Sequence, residues 1–457
     1  MQLCHSSATL SATFDEPNLI GSAGLVPAVG LAARVGLSQL SDDWLTVPGS
    51  RGCAGSKVMS LVAGMMAGAD SIDDMDVLRH GGMATVFKGA RAPSTLGTFL
   101  RSFTFGHVRQ LDAVAARTVI NLAETVPGLL AGGEPVVAVD IDDTVVRVYG
   151  ADKQGAEHGY TRIKGLNAQV ATLTTAQAAP VILGARLRRG AAASGHGAVR
   201  LIRDAMTTAA RAGVTGQILV RADSAYYRHD VISAVTRAGG WFSIAARQNR
   251  AVQAAIAKIG DDDWTHIDYP QAVLDSDTGE LVTAAEIAEI DYTAFTSRRL
   301  ADRVTARLIV RRIPERNAAK LAAAGQLGLF QVWRYHALFT NNPAPLVAAE
   351  ATHRGHAIIE GVFADLKAGP LAHLPSKRFP ANAAWLALAT IAFNLTRAIG
   401  VAAGGNFTRA ENATVRARLI NTPARISRSA RRQHLHLPTR WPWAHHWGRA
   451  WTAIMTT

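Results

Sequence analysis

The sequence predicts an α/β fold, and three observations predict it. From 135 to 247, short β-branched runs and helix-spaced runs follow the order β-β-β-α-β-α-β. A long apolar helical stretch follows from 350 to about 402. Helix-spaced segments precede both, over 55–115.

Taken in order, residues 1–40 are polar and Gly/Ala-rich without firm periodicity. Val58, Leu61, Val62 and Met65 then repeat at helical spacing, up to a break at Gly68. In the next helical unit Leu96, Phe99, Leu100 and Phe103 form an apolar face, with Ser94 or Thr95 as the expected cap. Short helices of this kind, with a capped and Arg-bearing second member, resemble a helix-turn-helix.

The first strand is "PVVAVDIDDTVVRVYG" (135–150), the second "GLNAQVATLTT" and the third "APVILGARLRRG". A helix over 197–213 turns Ile202, Met206 and Ala209 inward. A strand over 216–227, a helix over 229–238 and a strand over 240–247 complete the pattern. Residues 250–345 mix strands ("ARLIVRRI", "LFQVWRYHALFT") with acidic turns ("GDDDW", "DSDTGE"). The chain divides as 1–130, mostly helical; 131–249, first part of the core; 250–348, a β-rich insertion; 349–404, final core helices; and 405–457, a basic tail rich in Arg, Trp and His.

Acidic residues inside an apolar strand are costly to bury. In a strand, residues two apart share a face, so Asp140 and Asp142 point together and Asp143 points away. Asp223 ends the fourth strand, and Glu360 sits among Ile358, Ile359, Val362, Phe363 and Leu366 in the late helix. Alone, such an Asp is usually a turn or cap residue, and such a Glu a solvated helix edge. Three acids on three separate apolar elements suit a site for two Mg²⁺ ions, which take hard oxygen ligands and clamp both oxygens of a phosphodiester.

These residues carry a resemblance. "DIDDTV", "KQGAEHGY" and "KGLNAQ" in the first strands, "RADSAYY" at the fourth, "HRGHAIIEGVFADLKAG" in the helix and "RAPSTLGTFLRSFTFGHVRQLD" before the core look like a DDE transposase of a bacterial insertion sequence. The group is DDE group 1, which includes insertion-sequence family 1380. The resemblance covers roughly residues 40–400. It implies a ribonuclease H-like catalytic domain with a mixed five-stranded sheet flanked by helices, a β-rich insertion, and an N-terminal helical DNA-binding region. It implies Asp142, Asp223 and Glu360 as catalytic metal ligands for two Mg²⁺, with Mn²⁺ able to substitute. Asp140 and Thr144 then support them, Asp140 also rivalling Asp142 as first ligand. Relatives carry a Tyr-Arg-Glu-Lys signature; here its positions hold His353, His356, Glu360 and Lys367, with Arg354 adjacent. At helical spacing 353, 356, 360 and 367 share a face, which keeps a cationic stripe toward DNA.

Lys164, Arg186, Arg188, Arg189, Arg221, Arg247, His353, Arg354, His356 and Lys367 are the candidate DNA contacts, being close in sequence to the catalytic elements. Trp333 is the candidate for stacking on an unpaired base. Residues 409–457 hold nine Arg, four His and four Trp against one Glu, a composition suited to an ordered arm on DNA, the core or a second subunit.

The formal charge of +13 favours a polyanionic partner, DNA, over the plainer alternative of an Arg-rich solvated surface. The resemblance implies binding to the element's terminal inverted repeats and to target DNA, as a homodimer on DNA. Two cysteines, Cys4 and Cys53, form no disulfide framework or zinc motif and fit a reducing cytoplasm, with nucleoid association on DNA. The expectation is that no run is long and apolar enough for a membrane span, and that no secretory leader precedes the fold.

Two other readings compete. "DIDDT" also matches the D-x-D-x-T signature of haloacid dehalogenase-like phosphatases, with Asp140 as nucleophile and Asp142 as acid/base. That reading lacks the expected strand-helix alternation and downstream partners. The other is an inactive DNA-binding protein derived from a transposase, against which the presence of all three acids argues.

Overall fold

The computed structural model describes residues 10–50, 52–130, 133–150, 152–159, 161–274, 281–315 and 332–456. The acidic turn "DSDTGE", Cys4 and the first three residues of "LFQVWRYHALFT" lie outside them.

In chain order the N-terminal part comprises β1 (Leu19–Ile20), α1 (Leu25–Arg34), α2 (Leu37–Trp44), α3 (Ala54–Ala67), α4 (Met83–Val86), α5 (Pro93–Arg101) and α6 (Phe105–Thr125). The apolar face at Leu96, Phe99, Leu100 and Phe103 is buried. The expected cap is not at Ser94 or Thr95. Helix α5 begins at Pro93, whose fixed φ suits a first turn and whose missing N–H needs no partner. Thr104 instead caps α6, in a reciprocal box with His107.

The core follows as β2 (Val136–Arg147), β3 (Glu157–His158), β4 (Lys164–Thr174), β5 (Val181–Arg189), α7 (Ala198–Arg211), β6 (Gln217–Ala222), α8 (His229–Arg237) and β7 (Trp241–Ala245). The strands lie in the order β5-β4-β2-β6-β7. β2 is antiparallel to β4 and parallel to β6, and β6 is parallel to β7. This is the mixed five-stranded arrangement expected. Val137, Val139 and Ile141 are buried on β2, which lies at the centre of those five strands.

The five strands are not the whole sheet. After α9 (Arg250–Ile256) come β8 (Thr265–Leu274), β9 (Leu281–Ala294), β10 (Val304–Pro314) and β11 (Trp333–Thr340). β11 pairs antiparallel with β7, matching Leu338 to Ala245 and Thr340 to Ser243. With β3 paired to β4, the four insertion strands therefore extend the core sheet to ten strands among the described residues. An exposed β7 edge would carry unpaired N–H and C=O groups, and β11 satisfies them.

The late helical stretch breaks into α10 (Leu346–Arg354), α11 (Ile358–Lys367) and α12 (Phe379–Ala403). Gly369, Pro370 and Pro375 interrupt it between α11 and α12. Helix α12 is long and apolar enough to cross a membrane by length and composition, contrary to the expectation that no such run exists. The most apolar part of it is 89% buried inside the fold, against α3, α6 and β5. The chain closes with α13 (Asn412–Val415), β12 (Ala424–Ser429), β13 (Arg432–His436) and α14 (Ala444–Met455). β12 pairs with β1, and α14 packs on α1 and α12, so the C-terminal residues are built onto the N-terminal helices.

Candidate active site

Parallel pairing sets the site's register. Asp140 on β2 lies opposite Arg221 on β6, and Ile141 opposite Ala222. The next step brings Asp142 toward Asp223, just past the end of β6. Asp223 also caps the short 3₁₀ turn Ser224–Tyr226, its Oδ1 accepting from the Ala225 N–H at 3.0 Å.

The four aspartates have unequal partners. Asp140 is fully buried and saturated. Arg221 donates to both its oxygens at 2.7 Å, His356 Nδ1 donates to Oδ1 at 2.9 Å, and the Thr174 hydroxyl donates to Oδ2 at 2.9 Å. Burial pushes its carboxyl up, but the His356 hydrogen bond and the Arg221 guanidinium outweigh that and hold it below the ordinary value. Asp143, on the opposite face, pairs with Arg188 at 2.8 Å and accepts from Asn167 and the Tyr226 hydroxyl.

Among the described residues, Asp142 and Asp223 form no ion pair with Lys or Arg. Asp142 accepts from the Asp143 N–H at 2.7 Å. Burial, with repulsion from Asp223 and Asp143, raises its carboxyl to about 7, against the lowering effect of that N–H and of His356. Burial and Asp143 raise Asp223 as well.

Helix α11 packs on β2. At one end of the contact His356 reaches Asp140, and at the other Lys367 Nζ donates to Thr144 Oγ1 at 2.7 Å. Glu360 lies between these anchors in the chain, in the first turn of α11. His356 sits on the 3₁₀ turn Gly355–Ala357 that separates α10 from α11, so the expected single helical stripe through 353, 356, 360 and 367 is interrupted. Glu360 is exposed. Among the described residues, no three His, Cys, Asp or Glu side chains converge closely enough to hold a metal ion. The structure thus brings Asp142 and Asp223 together, with His356 beside them, and leaves Glu360 standing off on the facing helix. Two partly enclosed carboxylates that repel one another suit a hard divalent cation, which would relieve both costs.

Several expected DNA contacts are internal. Arg221 and Arg188 are buried as counter-ions of Asp140 and Asp143. Arg186 pairs with Asp204 at 2.7 Å, and strand register puts it on the Asp143 face, away from Asp142. His353 is hydrogen-bonded to the Ser243 hydroxyl at 2.9 Å. Burial, then repulsion from His356 and Arg221, lowers it to about 3, so it is no cation at neutral pH. His356 touches Asp140 rather than facing outward. Arg354 pairs with Glu350 and covers the Tyr269 ring at 4.6 Å. Trp333 is half-buried, and Arg312 is sandwiched between it and Trp264 at 4.3 and 4.1 Å, which makes Trp333 part of the insertion's packing.

The remaining candidates are accessible. Arg247 donates to the Ser224 carbonyl at 3.1 Å, beside Asp223. Lys164 donates to the Gly150 carbonyl at 3.3 Å, and Arg189 is exposed in a pair with Glu157 at 2.9 Å. Lys367 is exposed, with its amine lowered by desolvation.

Sequence reasoning missed the network behind Asp143. Arg188 also donates to Asn167 Oδ1 and to three backbone carbonyls, and Gln169 donates to the Tyr226 hydroxyl at 3.1 Å. The available signal was polar residues inside apolar strands, "GLNAQV" facing "RLRR".

No curated protein matches the chain. The family described as transposase DDE domain group 1 matches residues 4–457, almost the whole length. A match of that extent, over a mixed sheet with acids at its centre, establishes the family: the chain belongs to the DDE transposases.

Proposed function

We propose that this transposase cleaves the ends of its insertion sequence and joins the freed 3′-OH to target DNA, in a cut-and-paste reaction. The observation that carries the reading is the division among the aspartates. Asp140 and Asp143 are neutralised by Arg221 and Arg188, whereas Asp142 and Asp223, which repel one another, have no ion pair with Lys or Arg among the described residues.

In this reading Asp142 and Asp223 hold divalent metal, Mg²⁺ or Mn²⁺, and Glu360 completes the set from α11. Two bound ions would polarise the attacking and leaving oxygens of the phosphodiester. The chain's own residues do the positioning. Arg221 and His356 fix Asp140, which anchors the start of α11. Lys367 fixes the other end through Thr144. Arg247 lies where a DNA phosphate approaching Asp223 would pass. The placement with insertion-sequence family 1380, work on paired ends by a homodimer, and a DNA-binding role for the N-terminal helices belong to the same proposal.

The phosphatase reading loses its support. Asp140 is fully buried with both oxygens occupied, so it cannot attack a phosphoryl group. β2, β4 and β5 are also antiparallel neighbours rather than parallel strands. A Mg²⁺-dependent strand-cleavage assay on duplexes carrying the element's ends tests the proposal. Cleavage that survives Asp142→Asn, Asp223→Asn and Glu360→Gln would overturn it.

A further inference from the structure

We propose that the two-stranded ribbon β12–β13 is a DNA-docking element, laying its outer face against a duplex. The inference rests on the transposase reading and assigns a specific surface to its DNA.

The ribbon pairs Arg425 with His436, Ser427 with His434, and Ser429 with Arg432, and closes through the two-residue turn Ala430–Arg431. Strand alternation sorts its side chains. Ile426, matched to Leu435, turns inward and is buried. The other face carries Arg425, Arg432, His434 and His436, all exposed, with Ser427 and Ser429 between them. Arg431 is exposed at the tip. The Ser427 hydroxyl bonds His436 at 2.8 Å, and the two imidazoles meet edge to face at 4.7 Å. The face is thus an ordered set of donors.

Charge identifies the partner. From 412 to 457 the sequence has eight Arg and no Asp or Glu. The one acid paired to the ribbon among the described residues is Glu16, 3.7 Å from Arg425. A surface that projects several guanidinium groups against one paired acid fits a polyanion. A two-stranded ribbon also has the cross-section that a DNA major groove admits.

The ribbon is held firmly enough to dock. β1 pairs with β12 through Leu19 and Ile20, and the Ile426 N–H donates to the Asn18 carbonyl at 2.9 Å. The tail's indoles, expected on DNA, the core or a second subunit, pack within the protein. Trp441 donates to the Arg418 carbonyl, Arg418 covers Trp443, and Trp447 stacks on Trp451 at 5.2 Å. The tail therefore divides the two roles: Trp pack inside, and the ribbon's Arg and His face out.

The test compares the full chain with the triple variant Arg425→Gln/Arg431→Gln/Arg432→Gln. Probes are a labelled duplex carrying the element's terminal sequence and a mixed-sequence duplex of equal length. Binding is measured over a range of salt, and thermal melting confirms that the variant folds. The expected result is weaker binding to both duplexes, with the slope of log affinity against log salt reduced by about 0.9 for each phosphate no longer held. Unchanged affinity and slope would overturn the proposal, as would a change confined to self-association of the free protein. A folded variant that binds normally while the wild type still cuts would sink the ribbon and leave the transposase reading standing. A wild type that binds neither duplex would sink both.

Discussion

Arg221 grips Asp140 through two contacts of 2.7 Å, and both side chains are buried. That pairing separates two aspartates only two residues apart. Asp140 becomes part of the scaffold, and Asp142, without an arginine partner, is the one the proposal assigns to the chemistry. Removing one partner of a buried pair strands a charge. Arg221→Ala should lower folding stability by about 3–5 kcal/mol in denaturant unfolding. A loss within about 0.5 kcal/mol would mean that Asp140 has another source of compensation.

Asp142 gives the metal-free protein a pH dependence of definite sign. Its carboxyl stands near 7 in the fold, against an ordinary aspartate value of 3.8. Between those values the folded state holds more protons than the unfolded state, so stability falls as pH rises from about 4 to 7, by up to a few kcal/mol. Asp112, raised to about 6 by burial, acts in the same direction. Asp142→Asn should flatten much of that fall. At pH 8 in the absence of metal, added Mg²⁺ should raise the wild-type melting temperature and do so far less in Asp142→Asn/Asp223→Asn. Equal shifts in both proteins would place Mg²⁺ elsewhere.

His353 offers a test of the internal reading of the cationic stripe. Held near 3 by burial, it is neutral when the protein binds DNA. His353→Ala should cost about 1–3 kcal/mol of stability, because the bond to Ser243 disappears and a space is left behind. The salt slope of DNA binding should not move. A slope reduced by about 0.9 would return His353 to the residues that bind phosphate.

Trp333 behaves similarly. Its ring flanks Arg312, which also bonds Glu286. Trp333→Ala should destabilise the insertion strands, seen as faster proteolysis between 265 and 340. A 2-aminopurine reporter at the cleavage junction should give the same signal as with wild type. A changed reporter signal with unchanged proteolysis would restore the stacking role.

The core was legible because its pattern is local. Alternation around Asp140 and Asp142, and the inward Ile202, Met206 and Ala209, read correctly from spacing alone. Pairing between distant segments was not legible. The extension of the sheet through Leu338 and Ala245, and the two-residue strand at Leu19–Ile20, leave no periodic trace. Arginine in a strand is ambiguous in the same way. Arg188 and Arg221 looked like cations available to DNA, and only the register with Asn167 and Asp140 shows that each answers a buried carboxylate. Glu360 was singled out by its place in an apolar helix, and its role as a metal ligand remains part of the proposal. Its standing-off from Asp142 depends on how α11 is hung between His356 and Lys367, which no single segment encodes.

The most direct measurement is strand cleavage by the full chain on a duplex carrying its element's end, with Mg²⁺, beside Asp142→Asn under the same conditions. The predicted result is wild-type cleavage at the element boundary, and a fall of roughly three orders of magnitude or more in Asp142→Asn with DNA binding near normal. Cleavage by Asp142→Asn at the wild-type rate would contradict the assignment of Asp142 to the chemistry.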